Sequence, residues 1–188
     1  VGVDLPSELK GLVPAADFYD KIYGKGRWRA STIYSLGIGQ GELGVTPLQM
    51  ANILCAIANK GYYYIPHIVR KIGGKYNKTR NLGQKQLTMV EPRHFETVHE
   101  GMQQVVENGT ARIAKFGNYA ICGKTGTAQN PHGKDHSLFV AFAPRENPKI
   151  AIAVMVENAG WGGEWAAPMG SLMMEKYLTD SISRPELY

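Results

Sequence analysis

Ala120-Ile-Cys-Gly-Lys-Thr-Gly-Thr127, Ser137-Leu-Phe-Val-Ala-Phe-Ala-Pro144 and Lys149-Ile-Ala-Ile-Ala-Val-Met-Val-Glu157 follow one another in the second half of the chain. Each run has strand length, is rich in β-branched and aromatic residues, and is bounded by Gly, Asn or Pro. The connection Pro144-Arg-Glu-Asn-Pro148 is short enough for a hairpin, so the second and third runs are expected to pair antiparallel. Helices flank them. Pro92 opens a pattern over 92–108 with Phe95, Val98, Met102, Val105 and Val106 on one face, and Asn108-Gly109 ends it. A last helix over 166–181 carries Met169, Leu172, Met173, Tyr177 and Leu178, expected to lie across the sheet. The fold class is α+β, with helices segregated to one side of an antiparallel sheet.

Working toward the N-terminus, Thr46-Pro47-Leu48-Gln49 is a capping box with proline at the first helical position. It predicts a buried helix over 47–60, with Leu48, Ala51, Ile53, Leu54, Ile57 and Ala58 on one face and Gly61 as its stop. Cys55 falls in that apolar pattern and reads as a small buried hydrophobe. Residues 62–72 read as an extended segment and 73–88 as a polar loop. Residues 32–38 read as strand-like, and 1–30 as loops with a helical turn near 15–22. A division follows: a loop-rich helical part, 1–90, and a part of helix, three strands and C-terminal helix, 91–188.

The chain has 188 residues, 44% hydrophobic and 20% charged, which excludes wholesale disorder. Lys and Arg total 21 against 16 Asp and Glu, a net charge of +5. The basic residues are scattered apart from the Gly- and Asn-rich stretch 70–80, so nucleic acid is not an expected partner. No apolar run is long enough to span a bilayer, and Val1-Gly-Val-Asp4 is not a signal peptide. The first residue is Val, not Met, so a processed or excised piece is expected.

Four short patterns invite chemistry and fail on their surroundings. Gly39-x-Gly41-x-x-Gly44 lacks the acidic residue that a dinucleotide site needs, since the next acid after Glu42 is Glu91. Gly123-Lys-Thr125 lacks the upstream glycine and following helix of a phosphate loop. His132-Gly-Lys-Asp-His136 sits among Pro131 and Gly133, which oppose the helix a zinc pair requires, so no metal is expected. Ser7-Glu-Leu-Lys10 has the spacing of a serine nucleophile with its lysine. Its flanking Pro6 and Gly11 leave barely one turn, and an exposed lysine keeps its charge.

Lys124-Thr125-Gly126-Thr127 is the remaining candidate. An ammonium and two hydroxyls at a strand end suit an anionic group, and Gly126 would let an extended peptide approach as an added strand. The Thr127 N–H could then face a developing oxyanion. On the tetrapeptide alone, a surface strand with a solvated lysine is the simpler reading.

Several ordered blocks together resemble class B penicillin-binding proteins of the elongation type. They are Gly37-Ile-Gly-Gln-Gly41 with Thr46-Pro-Leu-Gln-Met-Ala51, Gly123-Lys-Thr-Gly-Thr-Ala-Gln129, and the strands beginning at Phe139 and Asn147. The opening Gly2-Val-Asp-Leu-Pro-Ser-Glu8 and closing Ala166-Ala-Pro168 fit as well. The resemblance implies a peptidoglycan DD-transpeptidase that attacks D-Ala-D-Ala stem peptides with a serine and resolves the acyl-enzyme with a second stem's amine. It implies that Lys124, Thr125, Gly126 and Thr127 bind the substrate or β-lactam, with Lys124 positioning its carboxylate and Thr125 and Thr127 binding it, and that no cofactor is used. The implied partners are stem peptides, β-lactams and the cell-wall elongation machinery. The implied location is the inner membrane, anchored upstream with this domain on the periplasmic side.

Such a mechanism also needs a Ser-x-x-Lys and a Ser-x-Asn. No Ser-x-Asn occurs here, and Ser7-x-x-Lys10 falls in the block matching a loop downstream of both motifs. The chain therefore reads as the C-terminal portion of one transpeptidase domain, with no catalytic residue of its own, inactive alone, and prone to self-association through an exposed sheet edge. The alternatives are a serine β-lactamase or DD-carboxypeptidase of the same superfamily, or a non-catalytic stem-peptide binding module.

Overall fold

Tyr19 organises one compact unit of the chain, Leu9–Thr46. It lies on helix α1 (Ala16–Tyr23), only 2% exposed, with its ring 5.4 Å from that of Trp28. Its hydroxyl donates to the Glu42 carboxylate at 3.0 Å, and the Trp28 indole N–H donates to Asp20 at 2.7 Å. Leu12 and Gly44 exchange backbone hydrogen bonds of 2.7 and 2.9 Å, which closes the unit. Residues 32–38, expected to be strand-like, instead complete two 3₁₀ turns, Ala30–Thr32 and Tyr34–Ile38. Among the described residues no strand pairs with this segment, and the backbone bonds locally: Leu36 N–H to Ile33 and Gly39 N–H to Leu36.

The computed structural model describes residues 1–76 and 83–187. The second compact unit comprises Val1–Glu8 and the chain from Pro47 onward. Helix α2 (Pro47–Ala58) starts at its proline, and Gly61, at φ 112°, donates to Ala56 to close it. Strands β1 (Tyr62–Tyr63), β2 (Lys71–Ile72), β3 (Lys75–Tyr76) and β4 (Gln86–Leu87) follow. β1 pairs antiparallel with β4 and β2 with β3, so the segment expected as a plain loop contains strand residues on both sides of 77–82, which lie outside the described residues. Gly73 and Gly74, both at positive φ, make the β2–β3 turn. Helix α3 (Pro92–Glu107) leads into β5 (Cys122–Ala128), β6 (His136–Ala143) and β7 (Ile150–Val156). Helix α4 (Ala166–Thr179) ends the unit.

The three-stranded sheet has the order β5-β6-β7, antiparallel throughout, with Thr125 opposite Phe139 and Phe139 opposite Val154. The expected hairpin is β6–β7.

Strand β6 decides the layering. Phe139, Ala141 and Ala143 pack in one cluster with Ala166, Ala167 and Met174 of α4. Phe142 and Val140 pack in another with Leu54 and Ala58 of α2 and Cys122 of β5. Helices therefore cover both faces of the sheet, not one, because β6 is apolar at odd and even positions alike. The fold class is α+β.

Two helices turn differently from their apolar patterns. On α4, Met169, Met173 and Tyr177 are exposed, whereas Ala166, Ala167, Gly170, Ser171 and Met174 are buried. The small residues win the inner face because the helix approaches the sheet closely. A Cβ on Gly170 would lie 2.8 Å from the Phe139 ring. On α2, Leu48 and Ile53 stay exposed while Leu54, Ala56 and Ala58 are buried, and Cys55 is half-buried. Buried His99 on α3 was not anticipated as core; its Nε2–H donates to the Ile57 carbonyl at 2.8 Å and its ring lies 4.9 Å from that of Phe142.

Candidate functional site

Strand β5 carries Lys124, Thr125, Gly126 and Thr127 in extended backbone, and β6 is its only strand neighbour among the described residues. Alternation along the strand sorts them. Thr125 and Thr127 share a face with their register partners Phe139 and Ser137, on the α4 side. Lys124 and Gly126 share the opposite face with Val140 and Leu138. The lysine and the hydroxyls thus meet only around the outer edge of β5. Lys124 is exposed and its Nζ donates to the Thr125 carbonyl at 2.6 Å, which curls the side chain over that edge.

Elements behind the strand hold it in place. Gly123 packs against α3, where an added Cβ would lie 3.0 Å from the Phe139 ring and 3.2 Å from Val106. Ser137, fully buried, donates to the Trp161 carbonyl and accepts from the Ala166 N–H, both at 3.0 Å. That clamps the loop 159–165 onto the sheet. Gly162 there lies on the backbone of β5 and β6: a Cβ would come within 2.4 Å of the Gly126 carbonyl oxygen and 2.3 Å of that of Leu138. The Thr125 hydroxyl lies 2.7 Å from the Thr110 hydroxyl, which follows α3. Thr110, Ser137 and Gly162 escaped sequence reasoning. Asn108-Gly109 marks a helix end before Thr110, but no spacing links position 110 to position 125.

Burial and ion pairing set the titration of groups on and behind β5. Burial pushes the Cys122 thiol up to about 12, and its S–H donates to the His99 carbonyl at 3.4 Å. Burial also raises Cys55. Arg145, after β6, donates to Glu96 at 2.7 Å, Glu100 at 2.8 Å and Gln103 at 2.7 Å on α3. Glu96, bonded first by Lys60 and then by Arg145, is held at about 2.

The other motifs stand apart from chemistry. Ser7 and Lys10 are exposed and outside any helix. Gly39 and Gly41, at φ 76° and 75°, and Gly44, in the bridge to Leu12, serve backbone geometry. His136 opens β6 and accepts from the Asn158 N–H at 3.0 Å, while His132 lies in the preceding turn. Among the described residues no three His, Cys, Asp or Glu side chains converge on a metal position, and no helix is long and apolar enough to cross a membrane.

The penicillin binding protein transpeptidase domain family matches residues 1–175, and the chain belongs to it. It is 35% identical to the peptidoglycan D,D-transpeptidase MrdA of Acinetobacter baumannii, over 98% of this chain and 30% of that protein. It is 38% identical to the crystal structure of Pseudomonas aeruginosa PBP2 in complex with WCK 5153, covering 95% of this chain and 39% of that one, with a TM-score of 0.82. Helicobacter pylori PBP2, in a complex with MreC, is 28% identical at a TM-score of 0.77, covering 94% of this chain and 32% of that one. The chain spans about 30% of the length of the curated relatives it matches.

Proposed function

We propose that these 188 residues are the C-terminal portion of one transpeptidase domain of a peptidoglycan D,D-transpeptidase of the elongation type. Lys124, Thr125, Gly126 and Thr127 form the wall that receives the carboxylate end of a D-Ala-D-Ala stem peptide or of a β-lactam. The observation that carries this reading is the Lys-Thr-Gly-Thr sequence on an edge strand, with its first hydroxyl held by Thr110.

The chemistry follows from the positions. An extended peptide lies along β5, and Gly126 lets it approach. The Lys124 ammonium and the threonine hydroxyls bind its carboxylate, and the Thr127 N–H contributes to the oxyanion hole. A serine outside these residues adds to the penultimate D-Ala carbonyl, and the terminal D-Ala leaves as the protonated amine. A second stem's amine then attacks the ester and frees the serine. The protein is anchored in the inner membrane with this domain on the periplasmic side, and it works with cell-wall elongation partners, as the H. pylori relative's complex with MreC supports. Isolated, the chain self-associates through the outer edge of β7, with concentration-dependent sedimentation as the check.

A fluorescent-penicillin gel tests the central claim. The full-length protein carrying these residues is expected to give a covalent band, and the 188-residue chain none. A band on the 188-residue chain that disappears in Ser7→Ala would make Ser7 the nucleophile and overturn the proposal.

A further inference from the structure

We infer that Thr110 is a positioning residue for substrate binding, acting through the Thr125 hydroxyl; the inference rests on the carboxylate wall proposed above. Thr110 Oγ1 and Thr125 Oγ1 are 2.7 Å apart, joining the turn after α3 to the edge strand that carries the site.

The turn that presents Thr110 is tightly built. The N–H groups of Gly109 and Ala111 both donate to the Val105 carbonyl at 3.1 Å, wrapping the end of α3. A Cβ on Gly109 would sit 2.9 Å from Val105 Cα, so only glycine fits. From the other side Gly163 rests against the Thr110 carbonyl oxygen, where an added Cβ would approach to 2.9 Å. Thr110 is thus held between a helix end and the loop that is clamped to Ser137.

Proton counting gives the pair its direction. Each hydroxyl has one proton to donate and lone pairs to accept. Once a carboxylate lies against Thr125, only one arrangement makes both bonds: Thr125 donates to the anion and Thr110 donates to Thr125. The two bonds then polarise each other. Without the Thr110 hydroxyl, the Thr125 hydroxyl loses a fixed partner and samples its staggered positions. The loss falls on binding of the anionic group and spares the rest of the substrate.

The experiment uses the full-length protein and two probes, benzylpenicillin and its carboxylate methyl ester, with second-order acylation rate constants measured for each. Thr110→Val keeps the shape and removes the hydroxyl; it is expected to slow the free acid about tenfold, the upper end of the net worth of one hydroxyl–hydroxyl hydrogen bond, and the ester less than about twofold. Thr110→Ser is expected to restore the free-acid rate to within about threefold of wild type. Equal rates for wild type and Thr110→Val on the free acid would overturn the inference. So would an equal loss on acid and ester, which would make Thr110 a structural tether only. Wild-type protein that fails to distinguish acid from ester would instead remove the carboxylate wall itself, and the inference with it.

Discussion

Arg184→Ala is expected to destabilise the chain by about 3 kcal/mol at neutral pH, and the structure supplies the reasons. Arg184 donates through Nε and Nη2 to one oxygen of Glu175, at 3.0 and 2.9 Å, with the two side chains only 15% and 4% exposed. Its Nη1 reaches the carbonyls of Ile113 and Lys115, each at 3.1 Å, and its guanidinium lies 5.2 Å from the centre of the Phe116 ring. One side chain therefore ties the C-terminal tail, α4 and the segment before β5 together. Removing one partner of a buried ion pair costs about 3–5 kcal/mol, because the other charge stays buried. The lower end applies, since the Glu175 carboxylate keeps the Ser183 N–H at 3.0 Å and the Ser183 hydroxyl at 2.5 Å. A loss of about 3 kcal/mol shifts the folding equilibrium more than a hundredfold, readily measured by denaturant titration. Acid supplies an internal control. Burial pushes Glu175 up, but the Ser183 bonds and Arg184 outweigh it and hold the carboxyl below its ordinary value of 4.5. The pair's contribution is thus full above that value and fades as pH falls through the lowered one, so the gap between wild type and Arg184→Ala should narrow in acid to what the bonds to the Ile113 and Lys115 carbonyls and the Phe116 contact supply. A penalty under about 1 kcal/mol at pH 7, or one that persists unchanged in acid, would refute the reasoning.

Three further outcomes are expected. Cys55 should react with a maleimide before Cys122, whose thiol is fully buried and pushed up to about 12; prompt labelling of Cys122 in the folded protein would contradict this. Lys60→Met should move the titration of Glu96, followed by carboxyl-carbon NMR, from about 2 toward its ordinary 4.5, and an unmoved midpoint would show that Lys60 is not what holds it. Gly162→Ala should cost about 1–3 kcal/mol in denaturant titration, since its methyl would overlap two strand carbonyls, and a neutral result would mean the loop 159–165 yields freely.

The sheet was legible because its strands are punctuated. Runs expected at 120–127, 137–144 and 149–157 became Cys122–Ala128, His136–Ala143 and Ile150–Val156, each shifted by a residue or two at its ends. Helix starts at Pro47 and Pro92 were legible for the same reason: a proline at the first helical position marks each. Which face a helix buries was not local. Met169 and Met173 outrank Gly170 in hydrophobicity, yet the distance to Phe139 selects the smaller residue. The 3₁₀ turns near Ile33 were hidden by residues with strong strand preference that pair with no strand among the described residues. At the candidate site, the Lys124–Thr127 strand could be read from its motif and placement. Thr110 could not, because a hydroxyl contact across 15 residues leaves no periodic trace.

The inward stripe of α4, from Ala166 to Ser171, makes its contact by the atoms it lacks. Substitution there is lopsided: nearly every replacement enlarges the residue, and almost none can trim it. A helix seated this way should drift in sequence on its outer methionine side while its inner side stays frozen at the smallest residues. The spacing between helix and sheet, and with it the position of the strand carrying Thr125, then depends on a gap that only hydrogen fills at Gly170.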